Sequence, residues 1–288
     1  MKFTMFKILF FFAAMFVVGG CAAPRRAPVR VCTGAESVKD AISGLRSWSS
    51  GATSFRGNGR CVFQYRERAG IRRESFPVKL WVNPPTEVRL QGDVAFDPKA
   101  VVLGANKDEF WISIKPEQIG NAYYWGLWSQ AGEFEDLLSP EFILEGFGVT
   151  IFAGQRAQPE NWSLLKEGIY DVLVSRDVAQ RKRRVYIDSC NQRVGKIEYI
   201  GSDGRPEVIT ELGGYKKISE GFYVPSAVKI VNCSAQKQQD WVGVTVSLDS
   251  VKAVTFGQQL HDALFTRPQP RGFKHKYEII DGRIVEQP

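Results

Sequence analysis

The residues of this 288-residue chain that could do covalent or metal chemistry are few: five cysteines and two histidines. Cys32, Cys61, Cys190 and Cys233 form an even set once Cys21 is set aside, which suits a compartment that permits disulfides. Four cysteines allow three pairings. Pairing within each half of the chain gives Cys32 with Cys61 and Cys190 with Cys233; buried free thiols are the alternative. No CxxC and no nearby histidine marks any of them as a zinc ligand, so neither metal nor cofactor is expected. His261 and His275 fall in the terminal segment without a serine or cysteine partner in a recognisable motif, and His261 reads as a surface or capping residue. Gly-x-Ser-x-Gly, HExxH and phosphate-loop patterns are absent from the sequence, and Glu133 and Glu135 stand in a plain acidic stretch. No catalytic residue is assigned, and an enzyme is not expected.

Cys21 is different because of what precedes it. Lys2 and Lys7 lead into an apolar stretch from Ile8 to Val18 that ends in Gly19-Gly20-Cys21. Such a run is short for a bilayer span, which needs about 20 apolar residues, and reads as an export signal. Val18-Gly19-Gly20-Cys21 resembles the bacterial lipobox, in which small residues let a peptidase approach and the thiol accepts acyl chains. Cleavage before Cys21 would leave a lipid anchor, each buried methylene contributing about 0.8 kcal/mol. Ala22, rather than Asp, after the cysteine implies the outer membrane in the enterobacterial sorting pattern. The formal charge of +7 loses Lys2 and Lys7 on cleavage, and the remaining mild basic excess is spread along the chain, which does not argue for nucleic acid.

The elements that must position any site follow. Residues 21–34, rich in Ala, Pro, Arg and Val, read as a flexible tether. Val38, Ile42, Leu45 and Trp48 recur at helical spacing, and Gly51 ends that helix. Period-two alternation then dominates: 61–66, 76–82, 87–92, 100–105 and 109–114 read as short strands of an antiparallel meander, with an aromatic strand or strand margin at 122–128. Residues 133–146 break the pattern with an apolar helix that Pro140 can open and Gly146 stops. Strands resume at 148–153, 169–176, 183–188, 194–200, 207–212, 222–231 and 241–254, with Gly201-Ser202-Asp203-Gly204 as a hairpin turn. A helical turn at 258–264 closes on Pro268 and Pro270, and the tail 273–288 holds one weak strand, 277–280.

This order resembles the LolA/LolB superfamily of lipoprotein carriers, over residues 36–270. Three stretches carry the resemblance. Leu45-Arg46-Ser47-Trp48 leads through Phe55-Arg56-Gly57-Asn58-Gly59-Arg60 into a strand. Leu138-Ser139-Pro140-Glu141-Phe142-Ile143-Leu144-Glu145-Gly146 looks like the family's lid helix. The third runs from Val185-Tyr186-Ile187-Asp188 through 194–200, Gly204, Tyr215 and Tyr223-Val224-Pro225 to Phe256 and Leu264-Phe265-Thr266-Arg267-Pro268. The anchored N-terminus is more similar to the membrane-bound receptor than to the soluble carrier.

The resemblance implies an α+β domain over 35–272: a strongly curved, unclosed half-barrel of about 11 antiparallel strands around a helical lid. Its concave face would bind acyl chains of lipoproteins or other lipids, with Leu80, Leu90, Trp111, Leu138, Phe142 and Leu144 as groove or lid candidates. Trp125, Leu127 and Trp128 would form a membrane-dipping loop, or else a strand end packed under the lid. Arg60 is the candidate for the arginine that holds the soluble carrier's lid. Arg181-Lys182-Arg183-Arg184 would meet acidic head groups or sit as a solvated hairpin tip. The implied partners are the membrane through the N-terminal lipid, the acylated cargo and a periplasmic carrier protein, with the chain itself a monomer. The competing reading is an adaptor lipoprotein that holds a protein partner on a filled core.

Overall fold

The computed structural model describes residues 30–67, 70–94, 97–117, 120–130, 145–147, 158–175, 182–234 and 241–288. The signal, Cys21, the tether up to residue 29, the lid candidates Leu138, Phe142 and Leu144, and the strand expected at 148–153 lie outside the described residues.

Helix α1, Val38–Ser50, starts where Ser37 and Asp40 cap each other: the Asp40 N–H donates to Ser37 Oγ at 3.1 Å and the Ser37 hydroxyl to Asp40 Oδ2 at 2.7 Å. Its stripe of Ala41, Ile42 and Leu45 is buried in the core.

Seventeen strands follow among the described residues. The first run is β1 (Phe55–Glu67), β2 (Gly70–Asn83), β3 (Glu87–Val94), β4 (Asp97–Ala105), β5 (Glu109–Ile114) and β6 (Ala122–Leu127). The second run is β7 (Trp162–Glu167), β8 (Tyr170–Ser175), β9 (Lys182–Asp188), β10 (Val194–Ile200), β11 (Pro206–Gly213), β12 (Lys216–Ser219), β13 (Phe222–Val224), β14 (Ala227–Asn232) and β15 (Trp241–Ala253). Helix α2, Gln258–Phe265, precedes β16 (His275–Ile280) and β17 (Arg283–Gln287).

Fifteen strands form one sheet in the order β17-β16-β6-β5-β4-β3-β2-β1-β15-β14-β11-β10-β9-β8-β7, with β12-β13 a separate pair. The two ends, β17 and β7, do not pair, so the sheet is unclosed. Residues from β1 to β5, β8 to β11 and β14 to β16 nevertheless share one hydrophobic cluster. A flat sheet of this width could not bring them together, so it curves around that core.

Several expectations need correction. The strand count of about 11 is too low because strands with little alternation, such as β7 and β12, go unread; β1, read from residue 61, also starts earlier, at Phe55, through Gly57 and Gly59. Pro225, which has no N–H for a ladder, splits the expected strand at 222–231 into β13 and β14. The terminal segment is a sheet edge rather than a tail, and β16 pairs with β6 in parallel, so the sheet is not wholly antiparallel.

The disulfide needs correction too. Cys32 bonds Cys190 across 158 residues, while Cys61 and Cys233 are free. Chain proximity misleads here because residues 30–35 cross to the β7–β8 hairpin, beside the β9–β10 turn that holds Cys190. Asp171 on β8 is the anchor: it accepts the Ala35 N–H at 2.7 Å, pairs with Lys166 at 2.6 Å and pairs with Arg30. Residues 30–34 are therefore docked, not part of a flexible tether.

Candidate functional site

Strand alternation places every second side chain of the first run on the concave face, and there they do not fill the space they enclose. A hollow of about 500 Å³ lies beneath β1 to β5. Phe76 and Val78 of β2, Leu90 and Val94 of β3, Val101 and Leu103 of β4, and Ile112 and Ile114 of β5 form most of its wall. Cys61, Phe63 and Tyr65 of β1 close one side with Val244 of β15. Gly92 keeps room for the Phe76 ring, since a Cβ there would stand 2.4 Å from Phe76 Cε2.

Polar groups line only one end. Arg72 stands between Glu67 and Glu74, at 3.4 and 3.7 Å, and all three are exposed enough for the pairs to be weak. Burial pushes the Cys61 thiol up to about 12, so at neutral pH it is an apolar wall atom and not a nucleophile.

Residues 145–147 pass over β9 to β14, where Glu145 and Phe147 are buried. Arg183 donates to Glu145 Oε1 at 2.5 Å while its guanidinium lies 5.2 Å from the Trp162 ring centroid, and the Tyr199 hydroxyl donates to Glu145 Oε2. Gly146 permits this close approach, because a Cβ would meet Val228 Cγ1 at 2.8 Å.

The convex face carries α2 and the chain after it. Arg89 donates to the Leu264 carbonyl, Asn106 to the Phe265 carbonyl and Tyr123 to the Pro268 carbonyl. His261 Nε2 lies 2.8 Å from Glu87, which raises the histidine pKa, so it is a link between α2 and β3.

The candidates from sequence separate accordingly. Leu90 lines the hollow. Leu80, on the same face, is packed in the solid core. Trp111 faces the other way: its indole covers Gly104 on the convex side, fully buried, because β5 turns Phe110 and Ile112 inward and Trp111 outward. The aromatic stretch is strand β6, paired with β5 and β16, and not a free loop. Within it Trp125 lies 5.5 Å from the Arg267 guanidinium; just beyond it Trp128 packs on Phe110 and donates to the Asn106 carbonyl, and Leu127 alone is exposed. Arg60 points away from the hollow and donates to Ser75 Oγ. Arg183, read as part of a solvated run, is buried. The wall residues other than Leu90 were missed, although the alternation that revealed the strands also names them. Among the described residues no cluster of three His, Cys, Asp or Glu side chains could hold a metal ion.

No family model matches the sequence, and no curated protein matches it. Solved structures do. A LolA superfamily protein from Nitrosomonas europaea is similar at a TM-score of 0.51 with 14% identity, covering 81% of this chain and 99% of that one. A DUF1329 family protein from Desulfovibrio piger is similar at 0.52 with 11% identity, covering 80% and 100%. The chain thus has the LolA-like fold.

Proposed function

We propose that this chain is a lipid-anchored protein of the bacterial outer membrane whose hollow takes up an acyl chain of a lipoprotein or another lipid, for localisation or transfer within the envelope. The observation that carries this is the apolar hollow itself: about 500 Å³, walled by aliphatic and aromatic side chains and polar at one end only. That size lies within the roughly 300–1,000 Å³ of small-ligand sites. Ten methylenes buried there would contribute about 8 kcal/mol. Lost translational and rotational freedom offsets about 4 kcal/mol or more of that, so capture is reversible, as transfer requires. The lipobox-like sequence ending at Cys21 supports the anchor, and Ala22 supports the outer membrane.

Uptake of a fluorescent fatty acid by detergent-free protein tests the reading. Saturable binding, competed by unlabelled acyl chains, is expected; neither uptake nor co-purified lipid would end it. A second reading, an adaptor that holds a protein partner, draws on the close packing of Glu145 and Phe147 against the strands of the second run. Recovery of one stoichiometric protein from an envelope extract, without acyl uptake, would favour it.

A further inference from the structure

Where the chain leaving α2 crosses the convex face, it covers hydrogen-bond donors that lack a matching acceptor. Arg89 of β3 stands opposite Gly104 of β4, and Gly104 opposite Trp111 of β5. The three form one row across the sheet, on the side turned from the hollow. Gly104 leaves a gap that the indole takes: a Cβ there would lie 2.3 Å from Trp111 Cε2 and 2.6 Å from Nε1. The ring edge that carries the N–H therefore lies over β4, beside the strand that holds Arg89. Trp111 is fully buried, and its Nε1 has no hydrogen-bond partner among the described residues.

Arg89 is a buried cation, 8% exposed. Its hydrogen bond to the Leu264 carbonyl, at 3.3 Å, uses one of the five N–H groups of a guanidinium. Among the described residues no carboxylate pairs with it: Glu109 is held by Arg267 at 2.6 Å and Glu87 by His261 at 2.8 Å. Burial lowers the Arg89 pKa, yet an arginine stays protonated, so its charge lies in the protein without a counter-charge. Tyr123 of β6 and Arg89 bear on each other electrostatically, so the guanidinium leans over Gly104 toward β6. Burial pushes the Tyr123 hydroxyl up to about 12, so it is neutral at ordinary pH and balances nothing. The carbonyls overhead are engaged as well: Asn106 donates to that of Phe265 at 3.0 Å and Tyr123 to that of Pro268 at 2.7 Å.

We propose that the Arg89 guanidinium and the Trp111 Nε1–H together form a buried binding site for a small monoanion of the size of chloride. Both groups only donate, so the occupant must only accept. One uncompensated cation calls for one negative charge. Lying between a sheet and the chain packed on it, the place suits a single ion, whereas phosphate or a lipid head group brings more charge and bulk than one arginine and one N–H match. The bound ion would fasten residues 264–268 to β3 and β5. The site is separate from the hollow and does not depend on the acyl-binding reading.

The test is a series of thermal melts of the full chain carrying Cys21→Ser, at fixed pH and ionic strength, with gluconate replaced stepwise by chloride. The melting temperature should rise and level off, gaining about 3–6 °C at ten times the half-saturating concentration. Trp111→Phe keeps a ring and removes the donor, so half-saturation should need about tenfold more chloride. Arg89→Met removes the charge, and its melting temperature should no longer follow chloride. Crystals of the parent soaked in bromide should show an anomalous peak in hydrogen-bond contact with both Arg89 and Trp111 Nε1, a readout that holds even where a variant fails to fold. A parent indifferent to chloride, an Arg89→Met variant with the parent's full response, a Trp111→Phe variant with the parent's half-saturation, or a bromide map without that peak would overturn the proposal.

Discussion

Arg183 of β9 donates to Glu145 at 2.5 Å, and this buried pair ties residues 145–147 to the strands of the second run. Both side chains are nearly inaccessible, so neither charge can turn to water if its partner is lost. Arg183→Met should therefore destabilise the fold by about 3–5 kcal/mol, because it strands a buried carboxylate. Adding Glu145→Leu should recover much of that loss, and denaturant melts of the two variants check it. A double variant no more stable than Arg183→Met would show that the pair is not what holds residues 145–147 in place.

The hollow makes the opposite prediction. Enlarging a side chain in a packed core costs about 1–3 kcal/mol, but Val78→Phe or Leu103→Phe projects into empty volume and should change stability by less than about 1 kcal/mol. Acyl-probe affinity should fall about tenfold or more as the space is occupied. Leu80→Phe, on the same strand face but in solid core, is the control: it should destabilise without that selective loss of binding.

Much of the architecture was readable because β3 and the second half of β2 alternate apolar and polar residues, and α1 keeps its stripe at helical spacing. Alternation reveals that a strand has two faces but not which face meets the hollow. Trp111 illustrates the limit: it was expected in the ligand wall, yet its parity on β5 sends it to the convex side over Gly104. Arg183 misled in the other direction, since a run of basic residues conceals that one member meets a carboxylate 38 positions earlier. The disulfide was unreadable for the same reason: its closeness is made by the docking of residues 30–35 on Asp171.

That docking gives a third prediction. The Cys32–Cys190 bond closes a loop of 158 residues, so its removal by Cys32→Ser with Cys190→Ser should lower stability by about 2–5 kcal/mol in the chain-entropy account. Burial alone raises the Asp171 pKa, but hydrogen bonds from Lys166, the Ala35 N–H and Arg30 outweigh it and hold the carboxyl below its ordinary value. A depressed carboxylate stabilises above its unfolded pKa and loses that contribution as pH falls through the folded one. Asp171→Asn should therefore flatten the acid limb of the stability profile below about pH 4, read by thermal melts across pH. An unchanged acid limb would show that the carboxylate contributes no pH-dependent stability.

His261 carries the reverse sign. The Glu87 hydrogen bond raises its pKa above 6.5, with burial opposing and Asp262 adding, because the protonated ring is the better partner for a carboxylate. Its contribution is complete below the unfolded value and is lost as pH rises through the folded one. The ring is part exposed and screened, so the effect on stability is about 0.5 kcal/mol or less. It should be visible locally rather than globally: after correction for the intrinsic rate, exchange at the α2 amides should quicken as pH rises through the histidine titration, while strand β3 stays protected. His261→Gln keeps a donor for Glu87 but cannot titrate, so in that variant the pH dependence at α2 should vanish. Its persistence would assign the opening of α2 to a group other than His261.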